Sequence, residues 1–249
     1  MKNEIVVYWS STFFGYESIE PDYAIKDLHD RINKISDLDT QSTDDVLKCP
    51  VASLYLKNTF RVKSPVDYSI YWDPEKATIS SNHYDQTFFN KFVNVRDPKS
   101  GILSMHFGSY VFFTEEDSLK VEFKAANYAD NQLAKNTSIF QGEIDIGRYF
   151  RFSDYACFIN RPNELLNVKR GDSLYYVRFL TDKKIKLKKF NFTPEINYLT
   201  EPVLSTKHRT KSRIQNVNVW NKLENYYEVF KTSKVKKHLI KEIKKNILE

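Results

Sequence analysis

A chain of 249 residues with 41% hydrophobic and 28% charged side chains holds enough apolar material for a packed core, which excludes a wholly disordered chain. Two cysteines, Cys49 and Cys157, are too few for a disulfide framework and lack the C-x-x-C spacing of a zinc site, so both are expected as reduced thiols. The net charge of +6 is unevenly placed: residues 203–249 hold 12 Lys and Arg against 4 Glu, a net of +8, which leaves about −2 on the first 202 residues.

Aromatic residues set the fold class. The chain has 18 Phe, 16 Tyr and 3 Trp against 6 Gly, and aromatic and β-branched side chains suit a pleated, half-buried surface. Ile5 to Trp9 read as a short buried strand bounded by Ser10, Ser11 and Thr12. In PDYAIKDLHDRINKIS, Pro21 suits a first helical turn, and Ile25, Leu28, Ile32 and Ile35 recur at helical spacing. The polar stretch DLDTQSTDD marks a loop, after which Pro50 opens a second helix bearing Val51, Leu54, Tyr55 and Leu56 and ending near Asn58.

From Thr59 to Ile196 the pattern is mostly strand. Phe60 and Val62 alternate, Tyr68, Ile70 and Trp72 alternate again, and Pro65 and Pro74 fall where no ladder donor is needed. A short helical turn is expected around Asp85 to Phe92. DPKSG is a turn signal, and ILSMHFGSYVFF after it predicts a central strand kinked at Gly108. Leu119, Val121 and Phe123 alternate with Lys120, Glu122 and Lys124, predicting a strand with one wet face. SIFQGEIDI and YACFI predict one strand each, and LLNVKRGDSLYYVRFL predicts two joined by a hairpin-type turn at Arg170, Gly171 and Asp172. Roughly ten strands with helices at the ends predict a mainly β protein with peripheral helices. The expected organisation is a β-sandwich or jelly-roll-like core over residues 1–202, with a basic linker and amphipathic helical tail over 203–249. In that tail VLSTKHRTKSR reads as linker, and Trp220, Leu223, Tyr227 and Phe230 fall at helical spacing. Ser233 caps a final helix whose apolar positions are Val235, Leu239, Ile240, Ile243 and Ile247. Lysines line its other face, except that Lys236 lands near the apolar stripe.

Candidate chemistry is sparse. His83-Tyr84-Asp85 is an H-x-D pair, which on a jelly roll supplies two of the three ligands of a non-haem Fe(II) oxygenase. His208 would be the distal ligand, and Arg213 would anchor a 2-oxoglutarate carboxylate. So short a motif arises readily by chance, and His208 sits in the linker, so this reading stands second. His106 is an alternative distal ligand but reads more simply as a packed strand histidine. Phosphate-binding glycine loops, nucleophile elbows and H-E-x-x-H are absent from the sequence. The leading reading therefore expects no cofactor, and the alternative expects Fe(II) and 2-oxoglutarate. Lys207, Arg209, Lys211 and Arg213 in the linker, with Lys237, Lys241 and Lys244 on the helix, would attract nucleic acid or another anionic surface. The competing reading is an amphipathic helix docked on the core with its lysines in water.

The stretches KCPVASLYLKNTFRVKSPVDY, LNVKRGDSLYYVRF and NYYEVFKTSKVKKHLIKEIKKN resemble a family of large tailed, myovirus-type bacteriophages that has no assigned function. The resemblance implies a phage-encoded protein made in the bacterial cytoplasm, acting there or in the virion, and it implies no catalytic residue. The expected function is a non-enzymatic structural or protein-interaction module with a protein partner or self-association, nucleic acid being the alternative partner. No stretch approaches the run of about 18 apolar residues that spans a bilayer, and no charged leader precedes an apolar core at the N-terminus.

Overall fold

The computed structural model describes residues 4–11, 18–36, 48–97, 101–200 and 235–248. In chain order, β1 (Glu4–Ser11) and β2 (Asp22–Tyr23) lead into α1 (Ile25–Ser36) and α2 (Pro50–Leu56). Next come β3 (Thr59–Lys63), β4 (Tyr68–Asp73), β5 (Thr78–Ser80), the single turn α3 (Gln86–Phe89), β6 (Val93–Asp97) and β7 (Ile102–Thr114). β8 (Lys120–Ala125), α4 (Gln132–Asn136), β9 (Thr137–Ile139), β10 (Gly142–Asp145) and β11 (Phe152–Ile159) follow. The last are β12 (Leu165–Val168), β13 (Ser173–Phe179), β14 (Lys184–Lys189), α5 over 194–200 and α6 (Val235–Lys245).

The expected β-sandwich is present, built from three sheets. The largest runs β14-β1-β7-β11-β9 with β6 also on β7, the second runs β10-β8-β13-β3-β2, and the third runs β12-β4-β5. Their inner faces share one core that includes Trp9, Val62, Ile70, Phe112, Val121, Tyr175 and Phe179. Each such side chain, fully removed from water, contributes about 1.5–3 kcal/mol. The apolar runs of β1 and β7 are continuous because both of their faces are covered. Ile5, Val7, Trp9, Tyr110 and Phe112 point into the sandwich, whereas Tyr8, Val111 and Phe113 join Phe150, Ile196, Leu239 and Ile243 in a second core outside it.

That second core is where the basic terminal helix docks. Leu239 and Ile243, both on the apolar stripe of the helix, are fully buried against the large sheet. Lys236, the residue that misfits the stripe, sends its Nζ over the Phe113 ring to donate to the Glu116 carbonyl at 2.7 Å. Burial lowers its pKa, an effect only partly offset by the acidic loop at Glu115, Glu116 and Asp117. Lys244 pairs with Glu115 at 2.8 Å. Asp145 pins this loop by accepting from Ser118 Oγ at 2.5 Å and from the Leu119 and Gly147 amides at 3.1 and 3.0 Å. Gly147 is needed there, since a Cβ would stand 2.5 Å from the Glu116 carbonyl oxygen.

On the outer face of the second sheet, α1 packs Leu28 beside Leu56 and Tyr176. A buried polar knot fixes it: Asp27 accepts from Arg61 Nη1 at 2.5 Å, from Ser173 Oγ at 3.0 Å and from the Tyr176 hydroxyl at 2.8 Å. Asp22 also binds Arg61; burial opposes its charge, but the Arg61 and Lys26 hydrogen bonds win and hold its pKa at about 2.

Three expectations need correction. SIFQGEIDI is two strands in different sheets, because the chain crosses at exposed Phe140 from β9 to β10. The turn at Arg170 to Asp172 is not a hairpin. β12 pairs with β4 and β13 with β3, so the turn is a corner at which a two-stranded ribbon passes from the third sheet to the second. The ladder continues around it through Gly171 N to Ser64 O at 2.9 Å and Ser64 N to Asp172 O at 2.8 Å. Gly171 has a φ of 93°, which residues with a side chain avoid. Pro21, finally, precedes β2 instead of opening α1. The DLDTQSTDD loop, most of the DPKSG turn, the 203–213 linker, the Trp220 to Phe230 segment and the Ser233 cap lie outside the described residues.

Candidate functional site

The ladder between β7 and β11 breaks once. Met105 faces Tyr155 and Tyr110 faces Ser153, so residues 106–109 of β7 stand opposite Asp154 alone. This irregularity is where the sequence placed a kink at Gly108, and it re-aims side chains as a bulge does. It gathers polar groups on the large sheet. Asp154 Oδ1 accepts from His106 Nδ1 at 3.0 Å and from Ser109 Oγ at 2.9 Å, and Arg96 Nη2 lies 3.9 Å from Oδ2. Arg96 also donates to Ser104 Oγ at 3.3 Å.

Burial alone would raise the Asp154 carboxyl. The hydrogen bond from His106 and its electrostatic attraction, the Ser109 hydroxyl and the charge of Arg151 outweigh burial and hold it below the usual carboxylate range. An ionised carboxylate only accepts, so His106 Nδ1 carries a proton, and in the neutral ring Nε2 is the acceptor facing Asn94 Nδ2 at 3.1 Å. Ser109 and His106 therefore donate in parallel to one oxygen, which orients groups but does not string them into a nucleophile, base and acid relay.

Beside this network a cleft of about 460 Å³ opens between β11 of the large sheet and β8 and β10 of the second. Arg96, Arg151 and Asp154 line its polar side, and Phe123, Phe140 and Tyr175 its apolar side. Phe140 is 45% exposed and stacks on Phe158 at a centroid distance of 4.7 Å. Glu143, also on the rim, is neutralised by Lys120 at 2.8 Å. Arg151 is half-buried and forms neither a hydrogen bond nor an ion pair with any of the described residues.

The residues singled out from sequence lie elsewhere. His83 and Asp85 are exposed near β5 and α3. Asp85 caps α3 by accepting from the Thr87 and Phe88 amides at 2.9 and 3.3 Å, and His83 Nδ1 sits 3.1 Å from Ser69 Oγ. His208 and Arg213, the third ligand and the anchor of the iron reading, lie outside the described residues, as do Lys207, Arg209 and Lys211. No group of three or more His, Cys, Asp or Glu side chains suited to one metal ion occurs among the described residues. Lys237 and Lys241 face solvent on α6 without a salt bridge to the described residues, while Lys244 is taken by Glu115. No helix among the described residues is long and apolar enough to cross a membrane. Cys49 and Cys157 are free thiols, and burial pushes the Cys157 thiol up, which keeps it protonated and unreactive.

Sequence reasoning reached His106 as a packed histidine but missed Asp154, Arg96 and Arg151. The available signal was Asp154 within RFSDYACF, a carboxylate set among aromatic strand formers. No protein-family model and no curated protein matches the chain, so its function rests on the chemistry of these residues.

Proposed function

We propose that this chain is a non-enzymatic protein-interaction module whose working surface is the polar part of the large sheet together with the adjoining cleft. The observation that carries the reading is that an exposed Phe140 and a half-buried Arg151, which has no hydrogen-bond or ion-pair partner among the described residues, line one concave site. Aromatic and arginine side chains on a concave surface are the residues that dominate protein interfaces. Asp154, His106 and Ser109 bond to each other, which suits a rigid binding surface better than a reaction centre. The sequence resemblance supports a phage origin, with the module made in the host cytoplasm and acting there or in the virion.

The test places a photo-crosslinking phenylalanine derivative at Phe140 and, as a control, at Tyr198, which is 75% exposed on α5. The expected result is one discrete adduct with a phage or host polypeptide from position 140, competed by unlabelled protein and absent from position 198. A strict monomer by light scattering that forms no adduct at Phe140 rules the reading out. So does stoichiometric iron in the purified protein that is lost in His83→Ala, which would restore the oxygenase reading.

A further inference from the structure

We infer that the cleft grips a single carboxylate of the partner polypeptide, presented next to an aromatic or branched apolar side chain. The inference rests on the interaction-module reading and names the group that the module would hold.

Charge balance leads to the anion. Glu143 is matched by Lys120 at 2.8 Å, which leaves two guanidinium groups, Arg96 at 3.9 Å and Arg151, to share the single carboxylate of Asp154. One positive charge is in excess, and Arg151 carries it: a guanidinium drawn partly out of water that Asp154 feels at longer range, with no hydrogen-bond or ion-pair partner among the described residues. A partly buried cation with unfilled donors is unfavourable until an acceptor arrives. Its planar fork matches a carboxylate through two parallel hydrogen bonds. The excess amounts to one charge and is met by one negative charge. A phosphate dianion would add a second charge within reach of the ionised Asp154, so it fits less well.

The walls specify what accompanies the carboxylate. Phe123, Phe140, Phe152 and Tyr175 face the cleft, and apolar walls both take up an aromatic or branched side chain and strengthen the ion pair by excluding water. A volume of about 460 Å³ accommodates one such side chain with its carboxylate.

The test titrates N-acetyl-phenylalanine, its primary amide and inorganic phosphate into the whole protein, followed by the NMR signal of the Arg151 Nε–H. The acid is expected to saturate with a dissociation constant on the order of 1 mM, about tenfold tighter than the amide and tighter than phosphate. Arg151→Gln should weaken the acid by about tenfold and leave the amide unchanged, and Arg151→Lys, which keeps the charge but not the fork, should fall between. An unchanged thermal midpoint in Arg151→Gln shows that the loss is one of recognition. Equal binding of acid and amide, no effect of Arg151→Gln, tighter binding of phosphate, or no saturation overturns the inference. If the Phe140 adduct survives in Arg151→Gln, only the carboxylate assignment fails. If the acid binds as expected but no adduct forms, only the interaction module fails.

Discussion

The two ends of strand β7 share an apolar inward row but meet opposite fates on their outward face. Over Tyr110 to Thr114 its outward side chains, Val111 and Phe113, are sealed beneath Leu239 and Ile243 of α6. Over Ile102 to His106 its outward positions are Ser104 and His106, tied to Arg96, Asn94 and Asp154. The change occurs at the register break opposite Asp154. One strand thus carries a hydrophobic platform at one end and a polar surface at the other, and the break lets the two halves differ without disturbing the inward row of Leu103, Met105, Tyr110 and Phe112.

Substitutions in the two halves should separate them cleanly. The largest effect is expected under the helix: Leu239→Ala should cost about 2–5 kcal/mol in urea unfolding, since it leaves a cavity in a fully buried site. A loss below about 1 kcal/mol would mean that α6 is not an integral part of the fold. Next comes the polar half, where Asp154→Ala should cost about 1–3 kcal/mol by removing the acceptor of the His106 Nδ1–H and of a Ser109 hydroxyl bond.

The same carboxylate makes a prediction in pH. Its folded pKa is depressed relative to an unfolded value of about 3.9, so its contribution is complete above about pH 4 and disappears as pH falls through the lower folded value. Urea midpoints measured near neutral pH and near pH 3 should converge in Asp154→Asn relative to the parent protein. A smaller effect is expected at the helix rim: Lys244→Ala should cost no more than about 1 kcal/mol, and that difference should shrink at high salt, because Lys244 and Glu115 are both well exposed. The smallest belongs to Arg151→Gln, which should shift stability by less than about 0.5 kcal/mol while changing ligand binding. A larger loss would give Arg151 a structural role and weaken the comparison.

The amphipathic spacing of α1 and α6 and the alternation in β3, β4 and β8 were legible in the residues, because each element reports its own buried face. The candidate site was not. Arg96, His106, Asp154 and Arg151 come from β6, β7, β11 and the approach to β11, and nothing in their spacing foretells that they converge. The H-x-D pair shows the converse: His83 and Asp85 look like metal ligands in one dimension, yet Asp85 spends its carboxylate on the first amides of α3.

By itself the sequence determined a β-rich sandwich with amphipathic helices, since periodicity and side-chain shape are local properties that each segment carries with it. Only the tertiary structure decided that the RGD turn is a corner, that SIFQGEIDI divides between two sheets, that β14 lies parallel to β1, and that Arg151 meets Phe140 across a cleft. Those outcomes depend on which edge a strand pairs with and on where the ladder slips. Such choices are made by contacts between residues far apart in the chain, and local sequence leaves them open.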